Sequence, residues 1–298
     1  MVLVFVMKKS YIICNRKITV EAPWFTPQEG YWPMFEAEFP EADINVLCRE
    51  CENLPDFGGK RLGECGDVTV SIDGGKVSRL FHLGTDPGAM CVYDAFGASS
   101  ADAYILSRNY DVAMDGRYMW SSLALSQLLL QKDAFLLHAS YIEHGGKAIL
   151  FSAPCGVGKS TQAALWAEHN GSRIINGDKA GVSFDGDEIN AGSLPFCGTS
   201  GICKNETCPL GAVVLLSRAD CSTVRRLGGS EAVLGIMNNI YLDFFAPGEQ
   251  KSCVDLLIRL AGQEQPLHRQ EGICGCRRHL YHRPSVIRHR RNSVCYQR

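Results

Sequence analysis

Short runs of alternating apolar and polar residues, broken by Gly, Pro, Asn and Asp, fill roughly the first 115 positions. Thr69–Ile72 and Lys76–Leu80 flank Asp73-Gly74-Gly75, which predicts a hairpin. Lys17–Val20 and Ala103–Leu106 are further strand candidates. The period then changes. From Tyr118 to Leu130 apolar residues recur at three- and four-residue steps, which predicts one helix with a broad apolar face. Phe135–Ile142 and Ala148–Ser152 read as buried strands joined through Gly145-Gly146, and Thr161–Glu168 as a helix. Arg173–Asn176 is a short strand, and Gly181–Phe184 with Glu188–Ala191 forms another hairpin around Asp185-Gly186-Asp187. Leu210–Leu216 is a continuous apolar strand. Helices follow from Ser230, a residue suited to capping, to Met237, and from Ser252 to Leu260. These elements predict a β-rich domain over 1–115, a connecting helix over 116–133 and an α/β domain over 134–262.

Residues 263–298 have another character. From Pro266 onward arginine and histidine dominate, no lysine occurs, and Glu271 is the only acid. One reading is a basic tail that contacts nucleic acid or a phosphorylated partner. The other is a frameshifted or misassembled end, or a disordered one, and the abruptness of the change favours it.

Composition narrows the function classes. A chain of 298 residues with 46% hydrophobic content can bury a large core, and a formal net charge of −2 gives no general pull toward nucleic acid or acidic membranes. No segment offers the apolar length of a membrane span, and the opening apolar run, Met1–Met7, precedes its lysines, the reverse of a signal peptide. Fourteen cysteines in a chain this long read as reduced thiols rather than a disulfide scaffold. The cytosol is the expected compartment.

The segment Ala153-Pro154-Cys155-Gly156-Val157-Gly158-Lys159-Ser160 lies between a predicted strand and a predicted helix that opens with Thr161. That is the setting of a phosphate-binding loop. Gly156 and Gly158 permit positive φ, so the backbone can approach a phosphate closely. Amides at the helix start then point at the anion, in the favourable field of the helix dipole. Lys159 is expected on the β- and γ-phosphates, and the Ser160 hydroxyl on Mg²⁺. Ala153 replaces the motif's first glycine. The pattern implies binding of a nucleoside triphosphate such as ATP.

Other side chains suit the far end of such a pocket. Asp178 closes the strand after the loop helix, where a carboxylate can touch Mg²⁺ or accept a proton from an attacking hydroxyl. In Asn176-Gly177-Asp178 it can equally serve as a turn residue. His138 is either a core histidine or a participant. Gly198-Thr199-Ser200-Gly201 with Lys204 is either a loop over the phosphate or an ordinary connection. Cys48 and Cys51 with Cys65 lack a fourth zinc ligand.

Leu137-His138-Ala139-Ser140, the 153–160 loop, Asn176-Gly177-Asp178 and Gly198-Thr199-Ser200-Gly201 occur in an order that resembles the HPr kinase/phosphorylase catalytic domain, of the phosphoenolpyruvate-carboxykinase-like group. The resemblance covers about residues 130–260 and implies an ATP-dependent phosphotransferase using Mg²⁺. It implies Asp178 as base toward the acceptor hydroxyl, Lys159 and Ser160 as nucleotide and metal ligands, and His138 near the active site. Gly177 stands where the family has the first of two aspartates, and Pro195-Phe196-Cys197-Gly198 replaces its glutamate- and arginine-containing signature. The acceptor, protein or small molecule, is therefore open, as is homo-oligomer formation. A nucleotide-binding sensor without turnover is the alternative.

Overall fold

The computed structural model describes residues 6–26, 30–218, 223–242, 245–262 and 286–290. Its architecture is α+β, with two eight-stranded sheets and short helices. The chain divides into two compact units, Met1–Ala134 with Leu242–Cys253, and Phe135–Tyr241 with Val254–Arg298. No helix among the described residues is long and apolar enough to cross a membrane.

The first unit holds β1 (Met7–Ile13), β2 (Arg16–Ala22), β3 (Ile44–Cys51), β4 (Lys60–Cys65), β5 (Val68–Asp73), β6 (Lys76–Leu83), β7 (Asp86–Asp94) and β8 (Ser100–Leu106). They form one sheet in the order β1-β2-β3-β8-β7-β6-β5-β4. The expected β5–β6 hairpin turns on Gly74 and Gly75 at φ 51° and 86°, conformations open to glycine. Cys48 is buried on β3, Cys51 is half-buried, and Cys65 is exposed at the end of β4. No group of metal-ligating side chains forms there or elsewhere among the described residues.

Three short helices follow, α1 (Tyr110–Ala113), α2 (Met119–Ser122) and α3 (Leu125–Leu130). The single helix expected over 118–130 is thus interrupted. Ala124 takes a left-handed conformation at φ 51°, and Leu123, Leu125, Leu128 and Leu129 are fully buried on both sides of the break. Burial of leucines on either side overrides the helical period across it.

A buried ion pair fastens the returning segment of this unit. Arg79 of β6 donates from Nη2 to both carboxylate oxygens of Glu249 at 2.9 and 2.8 Å, and from Nε to Tyr93 Oη at 2.6 Å. Tyr93 Oη donates in turn to Glu249 Oε1 at 2.9 Å. Side-chain exposure of the pair is 2% and 1%. Both charges are matched and hydrogen-bonded, as burial requires.

The second unit contains β9 (Ala134–His144), which starts at the division, β10 (Lys147–Ser152), α4 (Lys159–Asn170), β11 (Arg173–Asn176), β12 (Lys179–Asp185), β13 (Glu188–Gly192), β14 (Thr207–Ser217), β15 (Thr223–Arg226) and α5 (Gly229–Met237). Helix α6 (Glu249–Gly262) crosses the division after Cys253, and β16 is Val286–Arg290. The second sheet runs β10-β9-β12-β13-β14-β16-β15, with β11 on β9. Because β10 also pairs with β14 in parallel, the path from β10 through β13 to β14 returns on itself. Ser230 lies inside α5 rather than at its cap, which is Gly228 in an extended conformation. Of the basic tail, residues 286–290 form β16 beside β14, and 263–285 and 291–298 lie outside the described residues.

A core of Ile142, Ile149, Phe151, Ala163, Trp166 and Leu216 holds α4 against β10 and β14. Ala153 is part of this cluster at 1% exposure, so the first position of the loop motif serves as a core residue here. Gly171, at φ 65°, ends α4 in the left-handed conformation that favours glycine.

Candidate nucleotide site

Strand β10, the loop and α4 follow one another directly, as a phosphate loop requires. Gly156 and Gly158 have φ of 76° and 115°, and a Cβ at either would meet nothing within 4 Å. Glycine is therefore needed for backbone conformation, with space to spare around it. Pro154, Cys155, Gly156, Ser160 and Thr161 are exposed, and Val157 and Gly158 are half-buried. Lys159 is buried at 7% exposure, and its Nζ donates to the carbonyls of Ala153 at 3.0 Å and Pro154 at 3.4 Å. Burial holds its pKa below the ordinary lysine value, opposed by the Asp178 and Cys155 charges.

The loop helix rests against the turn that carries Asp178. Ser160 Oγ donates to Gly177 O at 3.4 Å, and Ser140 Oγ donates to the same carbonyl at 2.8 Å. Asn176 organises this turn from a fully buried position. Its Oδ1 accepts from the amides of Asp178 and Lys179, both at 3.1 Å, an Asx arrangement. Its Nδ2 donates to Ser193 Oγ, Leu194 O and Phe196 O. Every polar position of this side chain is thus used to fix where β12 begins. The residues of Asn-Gly-Asp are turn chemistry and site construction at once.

His138 and Asp178 meet, with Nε2 and Oδ1 3.2 Å apart. Their backbones are also joined, since Ala139 N donates to Asp178 O at 3.0 Å. Lys179 Nζ lies 3.6 Å from Asp178 Oδ2 and over the rings of Tyr241 and Phe196, at 4.5 and 5.0 Å from their centroids. The hydrogen bond from His138, and then the charges of Lys179, His138 and Lys159, hold the Asp178 carboxyl below the usual range against the effect of burial. All three side chains of the His138–Asp178–Lys179 group are partly open to solvent, at 29%, 26% and 20%.

The 198–201 loop closes on this group. A Cβ on Gly198, whose φ is 56°, would lie 2.7 Å from Asp178 Oδ2. A Cβ on Gly177 would lie 2.3 Å from Ser200 Cβ and Oγ. Ser200 fills the space that a side chain at 177 would need. Ser200 Oγ is tied into its own turn, donating to Cys197 O at 2.6 Å and accepting from Ile202 N at 3.3 Å. Lys204, by contrast, is exposed, and its amide binds Ile175 O at 2.9 Å.

Two participants escape a reading of the sequence. Lys179 has no motif to mark it, and its two aromatic neighbours, Phe196 and Tyr241, come from later segments. Arg218 follows β14, and its Nη2 donates to Gly156 O inside the loop at 2.8 Å. The parallel pairing of β10 and β14 would have been the signal, because it brings both strand ends to one edge.

No family profile matches the chain, and no curated protein matches it. Among solved structures, the HPr(Ser) kinase/phosphatase from Coxiella burnetii is similar over 41% of this chain and 87% of its own, at 13% identity and a TM-score of 0.25. The likeness is weak.

Proposed function

We propose that this protein is an ATP-dependent phosphotransferase of HPr-kinase-like character, transferring the γ-phosphate to a hydroxyl of an acceptor yet to be identified. The observation that carries the reading is a phosphate-loop sequence whose helix meets, through Ser160 Oγ on Gly177 O at 3.4 Å, the turn that bears Asp178. Lys159 would leave the Ala153 and Pro154 carbonyls for the β- and γ-phosphates, and loop amides from Cys155 to Thr161 would surround the same oxygens. Asp178, held ionised by His138 and Lys179, would align the acceptor hydroxyl and accept its proton as transfer proceeds. His138 would act by fixing that carboxylate. Positioning and charge stabilisation of this kind supply most of the catalysis in phosphoryl transfer.

Mg²⁺ suits the donor set. Ser160 offers an exposed hydroxyl and Asp178 an ionised carboxylate, hard oxygen ligands of the kind that hold this ion together with substrate phosphates. When bound, the ion would neutralise charge on the phosphates. The ten described cysteines are all free thiols, which supports a cytosolic setting.

Calorimetry with Mg·ATP tests the reading. Micromolar-range binding is expected, and folded protein that takes up neither ATP nor GTP would overturn it. A second reading, a nucleotide sensor without turnover, is favoured by one feature. Position 177 has no carboxylate and Ser200 occupies its space. Labelled ATP with a panel of protein and small-molecule hydroxyl acceptors separates the two, because tight binding without transfer selects the sensor.

A further inference from the structure

Arg218, just past the end of β14, lies outside every motif above, yet its side chain reaches the phosphate loop. In the parallel pairing, Ser152 at the end of β10 lies opposite Leu215 of β14. Arg218 follows three residues later, at the edge where the loop leaves β10. Its guanidinium donates to the Gly156 carbonyl at 2.8 Å, a charge-assisted bond to the backbone. None of the described peptide bonds is cis. In a trans peptide the carbonyl and the next N–H point in opposite directions. Fixing the Gly156 carbonyl toward Arg218 therefore fixes the Val157 N–H away from it. Gly156, at φ 76° and with no neighbour near its Cβ position, has no steric restraint of its own to hold that peptide.

We propose that Arg218 is a positioning residue for the phosphate loop, holding the Gly156–Val157 peptide so that the Val157 N–H is presented to the phosphates of a bound nucleotide. The inference rests on the loop binding a nucleotide. Arg218 is exposed, so its replacement leaves the core untouched. Its planar fork suits the role better than an ammonium, which offers a point charge on a flexible stem.

The experiment measures Mg·ATP affinity for the full chain and for Arg218→Ala and Arg218→Lys, together with melting temperature and the Val157 amide resonance. Arg218→Ala should bind about tenfold more weakly. Its melting temperature should be unchanged and its Val157 amide resonance shifted. Arg218→Lys should recover part of the affinity, and millimolar guanidinium should restore part of it to Arg218→Ala. Wild-type affinity in Arg218→Ala, or a loss that tracks a fall in melting temperature, would overturn the proposal. Absence of nucleotide binding by the wild-type protein is a different result, which removes the phosphate-loop reading itself.

Discussion

His138 and Asp178 are bound twice, through the 3.2 Å contact between Nε2 and Oδ1 and through the backbone bond from Ala139 N to Asp178 O. The second bond fixes the strand that carries the carboxylate, and the first fixes the carboxylate. Asp178→Asn keeps the size and the backbone bond but removes the charge. Nucleotide binding should survive with a raised Mg²⁺ requirement, and transfer to any acceptor should fall by about 10²–10⁴-fold. His138→Ala should show a smaller loss of the same kind. Normal transfer by the Asp178 variant in a labelled-phosphate assay would end its assignment as base.

Lys159 is buried against two carbonyls and carries no packing duty that an apolar stem cannot fill. Lys159→Met should weaken Mg·ATP binding by roughly a hundredfold or more. Thermal unfolding should show little or no loss of stability, since a partly desolvated ammonium is removed with it. A clear drop in melting temperature would instead assign Lys159 a structural task.

Gly198 combines a left-handed backbone with a close approach to Asp178. Gly198→Ala should cost about 1–2 kcal/mol from the backbone alone. It should also displace the carboxylate, so transfer should fall more than nucleotide binding does. Equal losses in both measurements would detach this loop from the acceptor side.

Cys155 is exposed within the loop. Alkylation by iodoacetamide should reduce nucleotide affinity in the wild-type protein and leave Cys155→Ser unaffected. Complete modification, verified by mass, with unchanged binding would count against nucleotide contact at that position.

Glu143 closes the β9–β10 hairpin by accepting from Gly146 N at 2.7 Å, and Arg173 adds an ion pair. The hydrogen bond first, and Arg173 after it, lower its pKa. A depressed carboxylate contributes stability that is present above its unfolded pKa, about 4.3, and lost as pH falls through the folded value. Glu143→Gln should therefore be less stable at neutral pH and should flatten the acid limb of the stability profile below about pH 4.3. An unchanged acid limb in urea titrations would remove this contribution.

What the sequence discloses is mostly local. The turns at Gly74-Gly75 and Gly145-Gly146 announce themselves because a two-residue hairpin demands φ values that glycine accepts. The glycines of the 153–160 loop are legible for the same reason, since Gly156 and Gly158 take positive φ. Asp178 stands out as a carboxylate at a strand end, but its environment does not. Lys179, Phe196 and Tyr241 meet only after β12 and two later segments are placed. Arg79 and Glu249 lie 170 positions apart and look like ordinary surface charges until the chain closes. The break at Ala124 is hidden because its flanking residues are good helix formers, and long-range burial of leucines decides the outcome. Strand β1 was obscured by its two lysines and by the apolar run before it.

The return of Leu242–Cys253 to the first unit has a consequence for synthesis. A ribosome delivers Arg79 long before it delivers the carboxylate that neutralises it. Until residue 249 emerges, the amino-terminal sheet must either hold an uncompensated guanidinium inside or leave that region open. The amino-terminal half should thus mature late, after the segment 135–241 has already been made, and nascent chains stalled near residue 241 should remain sensitive to protease in the very unit that was translated first.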